Sequence, residues 1–491
     1  MRSNMVALGV LFALPTLGAA LACCSQLPTC VDANNCTAYQ DAGDGSSDAL
    51  PDVVVPPGCD LAKSPKESPA CVSDDVGVFV SPQGKDGATG KKTDPLRSIA
   101  EAVGKGKPRV YVCEGTYDAN VAITSPVAIY GGLTCLWDAS DASRPKLAPP
   151  KGIALRVTKI TGAVDVEDVD IVGSADANTP GDSAIAVFVS DSTNVTIRNV
   201  TLAAGPGTAG AKGASRSNYA GATATSGGTS SGATSGKGPT CTCSDATTSK
   251  GGNGAEGNGA NVAFGSSVPA VGGDNSGGSK ATSCDNGTDG ANGVANASGA
   301  GATSAGSLSV DGWSTMTAVK NAPNGNPAQG GGGGGAPTQG GTNAGGGGGC
   351  GGCGGAGGSS AQSGGSSFGL LAFNTTVTVT GGSLTTATGG AGGMGGSGQD
   401  GQAGGGGGTG GVCKGGTGGN GAGGSGGGGG AGGHSVPVAF VGTEPKVTNA
   451  TVTPGAKGGS GPGGNAGGGL GIAGAAGAPG LEGKAQNTIA L

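Results

Sequence analysis

Glycine constrains this chain more than any other feature. Of the 114 glycines in 491 residues, 18 fall in residues 1–200 and the other 96 in the remaining 291. A stretch with so few side chains cannot bury an ordinary apolar core, and ordering glycine costs more backbone entropy than ordering any other residue. The glycines gather in three inserts: 205–365, 389–433, and 455–484 within a C-terminal segment 455–491. In the second, every third residue over 389–410 is Gly, eight in succession, and after VCK (412–414) a new register of seven runs over 415–433. The third insert repeats this, with one register over 455–467 and another over 468–483. Strict glycine at every third position suits a left-handed, threefold extended helix rising about 3.1 Å per residue, whose glycine edge admits a neighbour. Each pair of registers then predicts two antiparallel rods of polyglycine II type. The short registers and scarce proline argue against collagen. Flexible disorder is the alternative, and codon slippage generates such runs without selection; over 205–365 the period is ragged.

The N-terminus carries an export signal. Arg2 precedes an apolar run from Met5 to Leu17, and Ala20-Leu21-Ala22 precedes Cys23, which predicts a signal peptide over 1–22. Two cleavages compete. Ala20 and Ala22 fit an ordinary secretory site, whereas Ala22-Cys23 resembles a bacterial lipoprotein site, which implies acylation of Cys23. Ala20 stands where that family usually has Leu. An acyl anchor would fix the protein to a membrane face without a spanning helix. Residues 23–58, with Cys24, Cys30, Cys36 and the stretch DAGDGSSDALPD, read as a linker. Asp41, Asp44, Asp48 and Asp52 lack the ligand alternation of a calcium loop.

Fourteen cysteines in an exported chain predict disulfides rather than metal ligands. The single histidine, His434, leaves no material for a histidine zinc site or a Ser-His-Asp triad, and no cofactor is expected. Cys350 and Cys353 have redox spacing but lie in a glycine run. On a threefold rod they share one edge about 9 Å apart, too far to bond each other. Each should pair with another strand, with Cys413 at the predicted hairpin tip as a candidate. A net charge of −6 argues against nucleic acid as a partner.

Residues 59–204 have a different character. Ile99, Ala102 and Val103 sit at helical spacing before Gly104 and Gly106, whereas Val110, Val112, Val121, Ile123, Val127 and Ile129 alternate as strands do. Asp86-Gly87, Asp94-Pro95, Ser98-Ile99, Ala102, and then Val110, Val112, Gly115, Thr116 and Tyr117 form an opening that resembles the pectate-lyase-like right-handed parallel β-helix proteins of bacterial extracellular type. The resemblance implies an end cap and first coils, and carries no catalytic residue. Independently of it, four segments share one pattern: VDVEDVDI (164–171), VTIRNVTL (195–202), VTVTGGSL (377–384) and PKVTNATV (445–452). Such self-similarity means stacked repeats. Asp168, Asn199, Gly381 and Asn449 occupy the same break position, and these residue types tolerate a left-handed backbone at a sharp turn. The expected fold is therefore all-β: a right-handed parallel β-helix with coils in 59–204, 366–388 and 434–454, interrupted by the glycine-rich insertions.

Chemistry is sparse. A polysaccharide lyase on such a solenoid needs clustered carboxylates for calcium and an Arg or Lys base, and the best cluster is Asp165, Glu167, Asp168 and Asp170. A 31-residue coil stacks Glu167 against Arg198 at about 4.8 Å, which makes an ion pair the simpler explanation. No glycosidase carboxylate pair stands out. GGSGQDGQ (395–402) starts like a calcium nonapeptide, but it occurs once and has Gln402 at the position that needs a large apolar residue. Rows of threonine (Thr196 and Thr201; Thr376, Thr378 and Thr380; Thr448 and Thr451) offer a hydrogen-bonding face to glycans, or simply reflect strand propensity. The inserts resemble in composition the Gly-Gly-x repeats of the PGRS surface proteins, without their PE-type N-terminal domain; this implies surface exposure and no activity. The expectation is an exported, lipid-anchored cell-surface protein of structural or adhesive role, without catalytic activity, whose partners are glycans or another cell. The alternatives are a lyase-type or glycan-binding β-helix protein, and a binder of ice or surface water.

Overall fold

The computed structural model describes residues 54–257, 262–270, 285–317, 320–336, 343–409 and 413–491. The predicted signal peptide, Cys23 and most of the predicted linker lie outside the described residues. The described chain is nearly all β.

A lead strand β1 (Gly77–Lys85) is followed by a helix α1 (Ile99–Val103), whose Ser98 side chain caps the Glu101 amide and which stops at Gly104. The chain then visits the same ladders repeatedly. The first winding is β2 (Arg109–Cys113), β3 (Gly115–Tyr117) and β4 (Val121–Ile123). The second is β5 (Val127–Leu133), β6 (Pro145–Leu147) and β7 (Ile153–Thr158), and the third is β8 (Val164–Glu167), β9 (Asp170–Gly173) and β10 (Ala184–Ser190). After β11 (Val195–Ala204) the first insert intervenes. It holds a three-stranded antiparallel finger, β12 (Thr240–Thr242), β13 (Thr248–Lys250) and β14 (Ser266–Val268), and a hairpin, β15 (Gly306–Ser309) and β16 (Gly312–Thr315). The ladders resume with β17 (Ser367–Phe373), β18 (Val377–Thr386) and β19 (Ser435–Val441). They end with β20 (Lys446–Thr448), β21 (Thr451–Thr453) and β22 (Thr488–Ala490). Every pairing between successive windings is parallel. β11 and β18 run through two ladders and join them into an 11-stranded sheet; the third ladder, β4-β7-β10-β17-β19-β22, is six-stranded.

The reason lies in the alternation. Along β11, Val195, Ile197, Val200 and Leu202 are buried while Thr196, Arg198 and Thr201 face outward, and the doubled outward step falls at Arg198-Asn199. Val195 pairs with Val164 on one side and Val377 on the other, so the 31-residue step is a real register. At the step, φ is 57° for Asp168, 49° for Asn199, 71° for Gly381 and 54° for Asn449. A bend of this kind turns the chain from one ladder to the next without leaving the core. Beyond the third insert the segment 455–491 returns to the sheet as β22, beside β19.

The inserts are ordered by backbone hydrogen bonds at a period of three. The amides of Gly415, Gly418, Gly421, Gly424, Gly427, Gly430 and Gly433 donate to carbonyls descending from Gly408 to Gly390 at 2.8–3.1 Å, an antiparallel pair. Gly458, Gly461, Gly464 and Gly467 likewise donate to Gly433, Gly430, Gly427 and Gly424 at 2.8–2.9 Å. The ragged first insert joins the same array: Gly207, Gly210, Gly213 and Arg216 donate to Thr388, Ala391, Met394 and Ser397. Backbone groups that cannot be left unpaired when buried are thus satisfied by neighbouring rods instead of by a sheet.

Glycine content follows the number of covered faces. In the rod 421–433, buried throughout, an added Cβ would meet a neighbouring carbonyl oxygen at 2.0 Å from Gly426, 2.0 Å from Gly427 and 1.7 Å from Gly428, three successive positions on three faces. In 389–408 two faces are closed, and the third carries Ala391, Met394, Ser397 and Asp400, with Met394 exposed. In the outer rod 455–467 the closely packed register is Gly455, Gly458, Gly461, Gly464 and Gly467, while Lys457, Ser460 and Asn465 occupy other positions.

Two disulfides clamp the finger to this array, Cys241–Cys350 and Cys243–Cys353. Cys350 and Cys353 therefore do not pair with Cys413, which is itself disulfide-bonded. The geometry explains the spacings: Cys-x-Cys faces one way on an extended strand of period two, and Cys-x-x-Cys faces one way on a rod of period three. Cys59–Cys71 closes the loop before β1, and Cys113–Cys135 ties the end of β2 to the segment after β5.

Candidate functional site

The predicted acidic cluster lies on the outer face of β8, β9 and β11. Asp165 and Glu167 point outward by alternation on β8, and the register sets Glu167 beside Arg198. The Arg198 guanidinium reaches Asp165 at 3.1 Å and Glu167 at 3.2 Å. Asp168 is nearly buried at its turn. Its Oδ2 accepts from Lys66 Nζ at 2.9 Å, and its Oδ1 from Arg144 at 3.4 Å and from the Asn199 amide. Arg144 also donates to Asp170 at 2.9 Å and to the Asn199 carbonyl at 2.7 Å. Lys66 comes from the loop closed by Cys59–Cys71 and pairs with Asp141 as well.

Four carboxylates therefore face three cations, and each carboxylate has a cationic partner. Burial pushes the Glu167 carboxyl up, opposed by its bond to Arg198. Burial alone would lower Lys66, but its bonds to Asp141 and Asp168 outweigh that and hold it above the usual lysine value. A cavity of about 380 Å³ adjoins the cluster, lined by Ala62, Ser64, Lys66, Glu67, Glu167 and Arg198. Among the described residues no three His, Cys, Asp or Glu side chains are grouped to hold a metal ion. A cation at Asp165 or Asp170 would have to displace a guanidinium. Lys66 and Arg144 escaped the sequence reading because they lie in loops remote from the repeat, and nothing in the local pattern marks them.

Asp400 of the calcium-like GGSGQDGQ is also engaged: its Oδ1 accepts from the Gly468 amide at 2.6 Å and its Oδ2 from Asn218 at 2.7 Å, clasping two neighbouring rods. The threonine rows form columns across windings. Thr196 pairs with Thr378, Thr380 with Thr448, and Thr201 with Ser383 and then Thr451; the hydroxyls of Thr380 and Thr448 are 3.3 Å apart. Thr376 leads into β18 and donates its amide to Ser192.

His434 sits where the rods hand the chain back to β19. Its Nδ1 accepts from the Lys484 amide at 3.0 Å, and its ring packs near Trp313 and Phe368. Burial, helped by the Lys484 charge, lowers its pKa from 6.5 to about 4. Between these values the unfolded chain binds more protons than the folded one. The neutral ring's contribution is therefore complete above pH 6.5 and is lost as pH falls toward 4. A shift of this size corresponds to about 3 kcal/mol. We expect His434→Gln to reduce the loss of stability between pH 6.5 and 4 relative to the parent, measured by urea unfolding at each pH; parallel curves would contradict this.

No family model, no curated protein and no solved structure matches the chain.

Proposed function

We propose that this chain is an exported cell-surface protein of structural or adhesive role: a right-handed parallel β-helix that carries a bundle of polyglycine II rods as a display surface. In this reading Cys23 is acylated and anchors the protein, and glycans or a neighbouring cell are its partners. The observation that carries it is the period-three array of rods, whose closed faces are glycine and whose open faces carry the side chains. Such an architecture invests its sequence in shape and exposed area. The disulfides agree with an oxidising compartment. The opening that resembles pectate-lyase-like proteins supports the solenoid, and the likeness to PGRS repeats supports surface exposure. The carboxylate cluster is read as structural, since Lys66, Arg144 and Arg198 neutralise it.

The test is made on producing cells. We expect labelling of the intact protein by a membrane-impermeant reagent, incorporation of fatty acid that is lost in Cys23→Ser, and binding of the purified mature chain to cells or glycans. Retention in the cytoplasm would overturn the reading. So would calcium-dependent cleavage of an acidic polysaccharide that is abolished by Asp165→Ala or Asp170→Ala, which would make the protein a lyase.

A further inference from the structure

A groove lies where three parts of the molecule meet: the outer side of β7 and β10, the β15–β16 hairpin, and the rod leading into β17. It encloses about 610 Å³. Its wall includes Trp313, Arg156, Asp182, Asp311, Gln362 and Thr317. Trp313 is partly exposed and stands edge-on to Phe368 at 5.0 Å, with its indole N–H turned away from solvent. Arg156 is pinned. Its guanidinium lies over the Phe188 ring at 4.8 Å and donates to the Asp311 carbonyl at 2.9 Å. The hairpin is tied to the coil by the hydroxyls of Ser183 and Thr315 at 3.4 Å, so the wall is positioned from both sides.

We propose that this groove binds a neutral oligosaccharide, with the Trp313 ring as its stacking surface. The proposal rests on the adhesive reading above and names the site for it. A sugar ring presents an apolar C–H face rimmed by hydroxyls that both donate and accept. The groove offers the complement: a partly exposed aromatic ring, carboxylates at Asp182 and Asp311, the side-chain amide of Gln362, and a fixed donor at Arg156. Charge selects the class. Two carboxylates against one guanidinium repel a uronate or sulfated chain and leave a neutral glycan favoured.

Trp137 and Trp313 are the two tryptophans of the chain, so Trp137→Phe makes Trp313 the sole reporter. This variant of the mature chain is titrated with cellohexaose, xylohexaose, mannohexaose and hexagalacturonate, following tryptophan emission and, in parallel, heat. We expect a saturable emission change with at least one neutral hexamer and none with hexagalacturonate. We expect at least tenfold weaker binding in Arg156→Ala and in Ser314→Tyr, an exposed wall position where added bulk fills the groove without touching the core. Circular dichroism melting of Ser314→Tyr should match the parent, which separates a blocked site from a misfolded one. Heat with unchanged emission and unchanged affinity in Ser314→Tyr would place the glycan elsewhere, overturning the groove and leaving the adhesive reading intact. Preference for hexagalacturonate would overturn the neutral class. Absence of heat with every hexamer would overturn the groove, and the adhesive reading would then stand or fall on cell binding alone.

Discussion

Gly427→Ala should cost about 4 kcal/mol, whereas Gly459→Ala, in a neighbouring rod, should be neutral or stabilising by up to about 1 kcal/mol. The added methyl at Gly427 would lie 2.0 Å from the Ser359 carbonyl oxygen and 2.5 Å from its carbon. That neighbour is backbone, so no side-chain rotation relieves the overlap. Separating the two rods far enough would stretch the bonds that join them, from the Gly358 amide to Ser425 and from the Ala361 amide to Gly428, both 2.9 Å. At Gly459 an added methyl meets nothing within 4 Å, and the carbonyl that accepts from Gly392 stays in place. Alanine there only restricts the unfolded chain. The contrast is measured by the urea midpoint of resistance to pulse proteolysis. Equal effects of the two substitutions would mean that the rods do not pack as described.

The second large effect concerns the clamp. Cys241–Cys350 and Cys243–Cys353 close loops of 109 and 110 residues. With one bridge formed, the other closes only a small additional ring. The loop-entropy model then gives about 2 kcal/mol for removing either pair as Cys→Ala and roughly 5–7 kcal/mol for removing both. The double change should exceed the sum of the singles and should free the β12–β14 finger, read as loss of amide protection at Ser249 and Gly251. Additive effects would show that the bridges constrain separate regions.

Much of the parallel ladders was legible because their constraints are local and periodic. The apolar alternation in 164–171 and 195–202 gives the inward face, and Asp168 and Asn199 mark the bend, so the 31-residue register and the Glu167–Arg198 pair follow from spacing alone. The paired registers over 389–433 are equally plain, because a rod with two closed faces needs glycine at two positions in three. Over 205–365 the signal fades for a physical reason. The β12–β14 finger and the β15–β16 hairpin interrupt its rods, so no one glycine register runs on: Gly207, Gly210 and Gly213 keep the period and Arg216 then ends it, while 327–336 and 344–355 are buried throughout. The partners of Cys350 and Cys353 were hidden in the same region, although the pairing of Cys-x-Cys with Cys-x-x-Cys was visible in principle. Lys66 and Arg144 reach Asp168 from loops, and β22 is three residues long; neither carries a periodic trace.

The most direct measurement is residue-resolved amide hydrogen exchange on the mature chain over 415–433 and 455–467. Slow exchange is predicted at Gly415, Gly418, Gly421, Gly424, Gly427, Gly430 and Gly433, and at Gly458, Gly461, Gly464 and Gly467, each of which donates to a neighbouring rod. Uniformly fast exchange across both stretches would contradict the account, reduce the inserts to unfolded decoration, and leave the coils as the only built surface.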